Sequence, residues 1–397
     1  MISSISKSLN IKLKRDYEEI RQLLIKKSYV VGEIPRNKEA KCEEGEAYSL
    51  AYPIQGILKY HGFSDYRQQI SFFPSISLNN GSLYTISYLK FDKNILDDMV
   101  FLNGFSADND TYQKVKDSLD YIRNFSGIRT KALLISRNYS PSKIEGKGLG
   151  TSASGSAALG IAAASILFDN EPEFINNRRL LSIFSRYLSG SGCRSSSGGF
   201  SVWLSHPTID PLDSYAIQLN REEHHNFINN ISILTIPIKS EIKTAEAHNI
   251  SLKSPFFEVW LSKRKELIFE FIDALDNHDL SKIGDLAEYD TLCLHAITMT
   301  APNNENIIAW DPDTLRVILE VRELRKSGYD VYYSIDTGPS LVLLTMKSQA
   351  MSISKEIKSI IPQHDIIEGK LGGPSQLLNS KSSEIKLLKE DMERFNK

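Results

Sequence analysis

The segment Gly148-Leu149-Gly150-Thr151-Ser152-Ala153-Ser154-Gly155 runs directly into the small-residue stretch Ala157–Phe168, and no other part of the chain constrains its fold as much. Glycine tolerates positive φ and lets another backbone come close. A glycine turn that opens a helix aims consecutive N–H groups, helped by the helix dipole, at an anion. Gly148 and Gly150 would shape that turn, and Thr151, Ser152 and Ser154 would add hydroxyl donors. These five residues are therefore a candidate phosphate loop, although they do not follow the GxxxxGK[ST] pattern. Tight packing of an Ala-rich helix is the competing explanation. The apolar run is too short to cross a bilayer. The opening MISSISKSLNIKLKRDYEEI lacks the unbroken apolar core of a signal peptide.

Residues 15–27 predict an amphipathic helix with Ile20, Leu23 and Leu24 on one face. Strands are expected at Ala51–Lys59, Ile70–Leu78, Leu83–Tyr88 and 132–136, with a helix over 111–125 that turns Val115, Leu119 and Ile122 inward. A further helix is expected at 177–188, followed by a Gly/Ser-rich loop at 189–199. The pattern restarts with a strand at Ile231–Ile238, then helices near 255–276, 280–297 and 312–326. A strand pair follows at Val331–Ile335 and Leu341–Thr345. Strands and helices do not alternate strictly, so the class is α+β rather than a doubly wound sheet. The length fits two domains: an N-terminal extension over 1–46, a first domain over 47–210 and a second over 211–397.

Three other segments carry side chains suited to chemistry. Lys59 sits in an otherwise apolar strand, where an ammonium is costly unless paired; an edge strand with its lysine in water is the alternative. Arg194 lies inside Ser189-Gly190-Ser191-Gly192-Cys193-Arg194-Ser195-Ser196-Ser197-Gly198-Gly199, and its planar fork of donors suits a carboxylate or phosphate. A solvated linker is the other reading, although Phe200–Leu204 resumes an apolar run at once. Asp336-Thr337-Gly338-Pro339-Ser340 joins two apolar strands. It is an ordinary turn by composition, or a carboxylate presented at a strand end.

Taken in order, these segments resemble the GHMP small-molecule kinase superfamily and, within it, the mevalonate diphosphate decarboxylase branch. Ala51–Gly62 is similar to that branch's lysine-tyrosine strand, Gly148–Gly155 to its nucleotide loop, Ser189–Phe200 to its SGSACRS…GGF loop and Asp336–Pro339 to its DAGP loop. His295-Ala296 is similar to its His-Ala pair, and the likeness covers roughly residues 47–350. It implies a two-domain GHMP kinase-like fold with a cleft between the domains. It also implies phosphorylated mevalonates as substrates, an Asp336–Lys59–Arg194 catalytic set, and a homodimer. Tyr60, Ser189, Ser191 and Ser195 fall in segments that bind substrate in the branch.

The chain departs from the branch in two places. The second lysine of Lys-Tyr-Trp-Gly-Lys, which contacts the substrate's diphosphate there, is Phe63 here, with His61 and Arg67 as compensating candidates. The nucleotide loop is longer and carries Lys143, Glu145 and Lys147. Both changes favour a variant that needs no phosphorylation step. The expected reaction is decarboxylation of mevalonate 3,5-bisphosphate to isopentenyl phosphate, CO2 and phosphate, as in the archaeal modified mevalonate route, with no cofactor. The alternatives are an ATP- and Mg-dependent decarboxylase of mevalonate 5-diphosphate, or a non-catalytic ligand-binding protein on the same fold.

The remaining features limit the partners. A net charge of −2 gives no nucleic-acid footprint. Cys42, Cys193 and Cys293 form no CxxC, which points to a reducing cytoplasm rather than a disulfide scaffold. Cys193 reads as packing. His206, His224, His225, His248, His278 and His364 show no metal-ligand spacing, so no metal is expected. His295 reads as structural or near the cleft, and Lys243 and His248 as solvated positions or phosphate contacts.

Overall fold

Pro53 decides how the first half is laid out. Instead of one strand over Ala51–Lys59, the chain forms Gly45–Ala51 and Ile54–Leu58, which enter different sheets. Proline has no N–H to give a ladder, so a strand ends at it. The Pro53 carbonyl accepts the Asn80 N–H at 2.7 Å where the two sheets meet. This computed structural model describes residues 5–29, 32–35, 38–142, 146, 148–302 and 305–395. Lys143, Glu145 and Lys147 lie outside the described residues.

The first sheet runs in the order Gln376–Leu378, Gly45–Ala51, Tyr84–Phe91, Ala132–Tyr139, Met99–Leu102 and Phe105–Ser106. The glycine-loop helix, Thr151–Leu167, packs on one face, together with the helices Asn109–Ser126 and Arg178–Leu188. Small residues let this helix be buried almost all round. A Cβ on Gly160 would lie 2.7 Å from Ser185 Oγ. Leu388 of the C-terminal helix Lys386–Phe395 joins Ile86 and Ile135 on the opposite face.

A second sheet orders Ala216–Gln218, Phe200–Trp203, Ser75–Asn79 and Ile54–Leu58. A third orders Val331–Ile335, Leu341–Met346, Ile231–Ile236 and Ile367–Gly369. Helices Pro312–Lys326 and Lys347–Ile360 cover one face of the third sheet. Helices Arg264–Asp276 and Leu280–Met299 cover the other, in a core shared with the second sheet.

The chain crosses the expected 210/211 division more than once. Ala216–Gln218 pairs with Phe200–Trp203, and Gln376–Leu378 returns to pair with Gly45–Ala51. The expected N-terminal extension contains a 20-residue helix, Lys7–Lys26, longer than the 15–27 expectation. It buries Leu13, Ile20 and Leu24 in the same core as Trp260 and Leu261 of the helix Phe257–Ser262.

The expected loop at 189–199 contains a buried helix, Gly192–Ser197. Its serines bond inward: Ser196 and Ser197 Oγ donate to the Cys193 carbonyl at 3.0 and 3.1 Å. Gly192 lets the turn press on its neighbours, since a Cβ there would lie 2.6 Å from the Ser185 carbonyl oxygen and 2.7 Å from Ser156 Cβ. Composition alone reads as a flexible linker; short side chains bonded to their own backbone make it a rigid mount. Gly192→Ala is therefore expected to lower stability by about 1–3 kcal/mol through overpacking, read as a drop in Tm. An unchanged Tm would contradict this packing.

Candidate active site

Four elements converge on one locus. They are the strand Ile54–Leu58, the helix Gly192–Ser197, the helix Leu280–Met299 and the turn after Val331–Ile335. The first supplies Lys59, just past the strand end. The register with Ser75–Asn79 shifts between Gly56 and Leu58, and such an irregularity re-aims the side chains that follow.

Lys59 is 3% exposed. Its ammonium donates to Thr291 Oγ1 and Ser334 Oγ, each at 3.0 Å. Both acceptors are neutral and already anchored. Thr291 Oγ1 donates to the Ala287 carbonyl at 2.7 Å, and Ser334 Oγ to the Gly56 carbonyl at 2.6 Å. The lysine backbone is clamped too. Its N–H donates to Asp290 Oδ2 at 2.5 Å and its carbonyl accepts from Arg264 Nη2 at 2.6 Å. Asp290 and Arg264 are themselves ion-paired. Burial pulls the ammonium below its ordinary value, against the pull of Asp336 and Asp290.

Asp336 tops the third sheet in a turn held at both ends. Thr314 Oγ1 donates to the Pro339 carbonyl at 2.8 Å, and Ser340 Oγ accepts from the Ile238 N–H at 3.0 Å. The Gly56 N–H points between the carboxylate oxygens, at 3.2 and 3.3 Å. A Cβ on Gly56 would lie 2.6 Å from Lys59 Cγ and 2.9 Å from Asp336 Oδ1. Only glycine lets the lysine stem and the carboxylate meet there. Asp336 keeps part of its surface open, yet burial pushes its pKa up to about 6, opposed by Lys59, Gly56 and Arg194.

Arg194 is 1% exposed. Its Nη1 donates to Ser75 Oγ at 3.0 Å and its Nη2 to Ser191 Oγ at 3.3 Å, while Nε has no hydrogen-bond partner among the described residues. It packs over Tyr60, 5.3 Å from the ring centroid. Among the described residues no carboxylate pairs with it, and burial pulls its pKa down. A buried guanidinium without a counter-ion is costly, so this corner is suited to an anionic guest.

The other sequence candidates divide. Tyr60 lines the corner: its hydroxyl meets Ser191 Oγ at 3.2 Å, and burial holds its pKa up to about 12. Ser189 and Ser191 are half-buried at the entry to the Arg194 helix. Ser195 turns away, donating to the Tyr52 carbonyl at 2.6 Å, so its proton holds the mount rather than a ligand. His61 is buried against His248, ring centroids 4.5 Å apart, and burial pushes its pKa down to about 4. It packs inside the fold, its ring tilted 43° to that of His248, instead of offering a charge.

Gly148 and Gly150 do take positive φ, and the loop seats against the aspartate turn. A Cβ on Gly148 would lie 2.8 Å from the Gly338 nitrogen, and one on Gly150 2.4 Å from the Ile54 carbonyl oxygen. Thr151 and Ser152 sit in the first turn, partly open. Ser154 is fully buried. It bonds Thr85 Oγ1 at 2.6 Å and the Thr151 carbonyl at 2.9 Å, so it is not a free donor for a phosphate.

Phe63 is buried against Trp203 and Cys193, and Arg67 is exposed. Burial pushes the Cys193 thiol up to about 12, so it is no nucleophile. His295 is buried beside Trp310, and burial pushes its pKa down to about 3. Among the described residues no cluster of three or more His, Cys, Asp or Glu could hold a metal. No helix among them is long and apolar enough to cross a membrane. Sequence reading did not single out Gly56, Ser334, Thr291, Asp290 or Arg264. Only Gly56 left a trace, as a glycine within the apolar strand that leads to Lys59.

Comparison with known proteins gives the same locus a setting. A family model described as the diphosphomevalonate decarboxylase-like N-terminal domain matches residues 51–216. The mevalonate 3,5-bisphosphate decarboxylase of Thermoplasma acidophilum is 30% identical over 346 residues, 86% of this chain and 81% of the relative. The phosphomevalonate decarboxylase of Haloferax volcanii is 28% identical, over 84% of this chain and 98% of its own. Among solved structures, the mevalonate diphosphate decarboxylase of Enterococcus faecalis superposes with a TM-score of 0.75. It is 25% identical, and the match covers 85% of this chain and 100% of that one.

The raised Asp336 value has a consequence for stability. Between its ordinary 3.8 and about 6, the folded protein holds this proton more tightly than the unfolded chain. Stability contributed by the protonated acid is therefore lost as pH rises through that window. Asp336→Asn removes the titration. Its stability relative to the native chain is expected to grow by about 1–3 kcal/mol from below the window to neutral pH, measured as the Tm difference at each pH. A pH-independent difference would show that the site does not raise this carboxyl.

Proposed function

Since the chain belongs to the diphosphomevalonate decarboxylase family, we propose that it is a carboxy-lyase acting on mevalonate 3,5-bisphosphate. Isopentenyl phosphate, CO2 and phosphate are the products, made for isoprenoid biosynthesis. The observation that carries this reading is the convergence of Asp336, Lys59 and an Arg194 that is buried with no carboxylate partner among the described residues.

The chemistry needs these three groups in different roles. The C3–O bond breaks with its electron pair leaving on the phosphate, so positive charge develops at C3. The C1–C2 bond then breaks, its pair becomes the C2=C3 double bond, and CO2 departs; the released phosphate takes its proton from water. Arg194 offers a rigid fork to the C1 carboxylate and aligns the breaking bond. Ionised Asp336, partly open at the end of its strand, faces the carbon where positive charge grows. Lys59 offsets charge on the departing phosphate and favours the ionised state of Asp336.

A substrate that already carries its leaving group needs no phosphoryl donor, so the reaction is proposed to run without nucleotide or magnesium. Two features support that. The glycine loop lies backbone to backbone against Gly338, where a Cβ on Gly148 would be 2.8 Å from nitrogen. Ser154, one of its expected donors, is tied to Thr85 and Thr151. Both leave less room, and one donor fewer, for a triphosphate between the loop and the aspartate turn. The same reading includes a homodimer, a cytoplasmic location and an archaeal setting. The three free cysteines support a reducing compartment.

The test offers the purified protein mevalonate 3,5-bisphosphate and mevalonate 5-diphosphate separately, each with and without MgATP, and measures CO2. Gas from the bisphosphate without nucleotide is expected. Gas only from the diphosphate with ATP would overturn the reading in favour of the nucleotide-dependent reaction, and binding without gas would leave a ligand-binding protein. Asp336→Asn is expected to abolish turnover. Gly56→Ala, which pushes the lysine stem and the carboxylate apart, should cost on the order of 100-fold in kcat with the fold retained. Wild-type rates in the Gly56 variant would refute the geometry derived for the site.

A further inference from the structure

His248 was a candidate for a solvated position, and the structure buries it. It lies in the helix Thr244–Ser251 and is 6% exposed. Its ring stacks on Tyr60 at 5.1 Å and 18°, and packs against Phe63 at 5.2 Å and His61 at 4.5 Å. Tyr60 carries Arg194 over the same ring. The imidazole and the guanidinium that receives the carboxylate are thus one aromatic ring apart.

The tautomer is fixed by the backbone. The Gly62 N–H donates to His248 Nδ1 at 3.0 Å. A backbone N–H can only donate, so Nδ1 must be the unprotonated nitrogen and the ring proton must sit on Nε2. Burial, His61 and Arg194 all hold the ring neutral. Nε2 is therefore a fixed neutral donor, and Nδ1 to Gly62 is the only hydrogen bond the imidazole makes among the described residues. The helix that carries it is tied to the catalytic turn through Thr244 Oγ1 and Thr337 Oγ1, 3.1 Å apart.

The proposed substrate has anionic groups at both ends of its chain, with C3 between them. Arg194 takes the carboxylate end and Asp336 faces C3, which leaves the C5 phosphate to be recognised. Resting on the proposed reaction, we infer that His248, through Nε2–H, is the donor that recognises the monoester phosphate at C5. The contact determines specificity and takes no part in bond breaking. A single neutral donor in an aromatic wall suits one phosphate group better than the larger charge of a diphosphate. It also needs no counter-ion when the site is empty, unlike a buried ammonium.

The experiment compares mevalonate 3,5-bisphosphate with mevalonate 3-phosphate, which lacks only the C5 group. His248→Phe keeps the ring packing and removes the donor. It is expected to raise KM for the bisphosphate by about 10- to 100-fold, the cost of a lost hydrogen bond to a charged group, with kcat little changed. The 3-phosphate should be unaffected. His248→Gln, which retains a donor near Nε2, should recover part of the loss. Equal losses on both ligands would mean that His248 only supports the packing around Tyr60, and no loss on either would remove it from the site; both overturn the inference. Calorimetric binding of isopentenyl phosphate and of isopentenol to the same variants reads the contrast without turnover. An inactive wild type would therefore refute the reaction, while phosphate-dependent binding lost in His248→Phe would still establish the contact.

Discussion

The ammonium of Lys59 has been brought inside the protein, and the surrounding structure is arranged to hold it there. Two neutral hydroxyls accept from it, and the Asp290–Arg264 pair grips the peptide groups on either side of its Cα. The pair is net neutral and fully buried, so it fixes position without cancelling the lysine charge. That charge is left for Asp336 and for whatever anion enters. Had a carboxylate been paired directly with Lys59 inside the core, the charge would have been neutralised and the chemistry lost. The helices that carry Asp290 and Arg264 pack in one core with the N-terminal helix Lys7–Lys26. The ordered segment ahead of the first motif thereby helps support the site.

Arg194 follows a related logic. Its acceptors are hydroxyls and its neighbours are aromatic faces, none of which satisfies a full positive charge. Lys59 and Arg194 both act through space on a single carboxylate, and that carboxylate is raised rather than lowered because burial outweighs both cations. Charges buried in this way cost stability, the usual exchange of stability for function. The rigid mounts follow from it. Side chains bonded to their own backbone in Gly192–Ser197, a turn anchored at both ends around Asp336, and a strand irregularity before Lys59 all resist the relaxation that would ease the conflict.

How much of this could be read from the chain depended on whether a feature is local. Charged residues in apolar or glycine-rich surroundings stand out, so Asp336, Lys59 and Arg194 were all visible. Their convergence was not visible from spacing, since it depends on the third sheet meeting the second, and it came through the resemblance. The helical periodicity of Asn109–Ser126 and Pro312–Lys326 was legible because those helices have one wet and one dry face. The helix at Gly192–Ser197 was missed because its serines bond inward and its apolar face is supplied by glycine and short side chains. The break at Pro53 was misread because the apolar pattern continues across it while the ladder cannot. Ser154 was expected to face a ligand from its place in the glycine loop and Ser195 from the resemblance, but a hydroxyl's direction is set by the nearest unsatisfied carbonyl or hydroxyl, which no sequence pattern records.

Gly56 joins these threads. Its N–H bridges the oxygens of Asp336, its carbonyl accepts from Ser334, and the space where its side chain would be is filled by the lysine stem and the carboxylate. Within a strand, glycine gives up packing and conformational entropy relative to any other residue. A chain selected for stability alone would place a β-branched residue there, with Ile54 and Ile57 as models in the same strand. With a side chain at that point, Lys59 and Asp336 could not approach, and the lysine would be a buried charge with only hydroxyls for company. The glycine costs the strand stability and leaves the space in which the two groups come together, the approach on which the proposed chemistry depends.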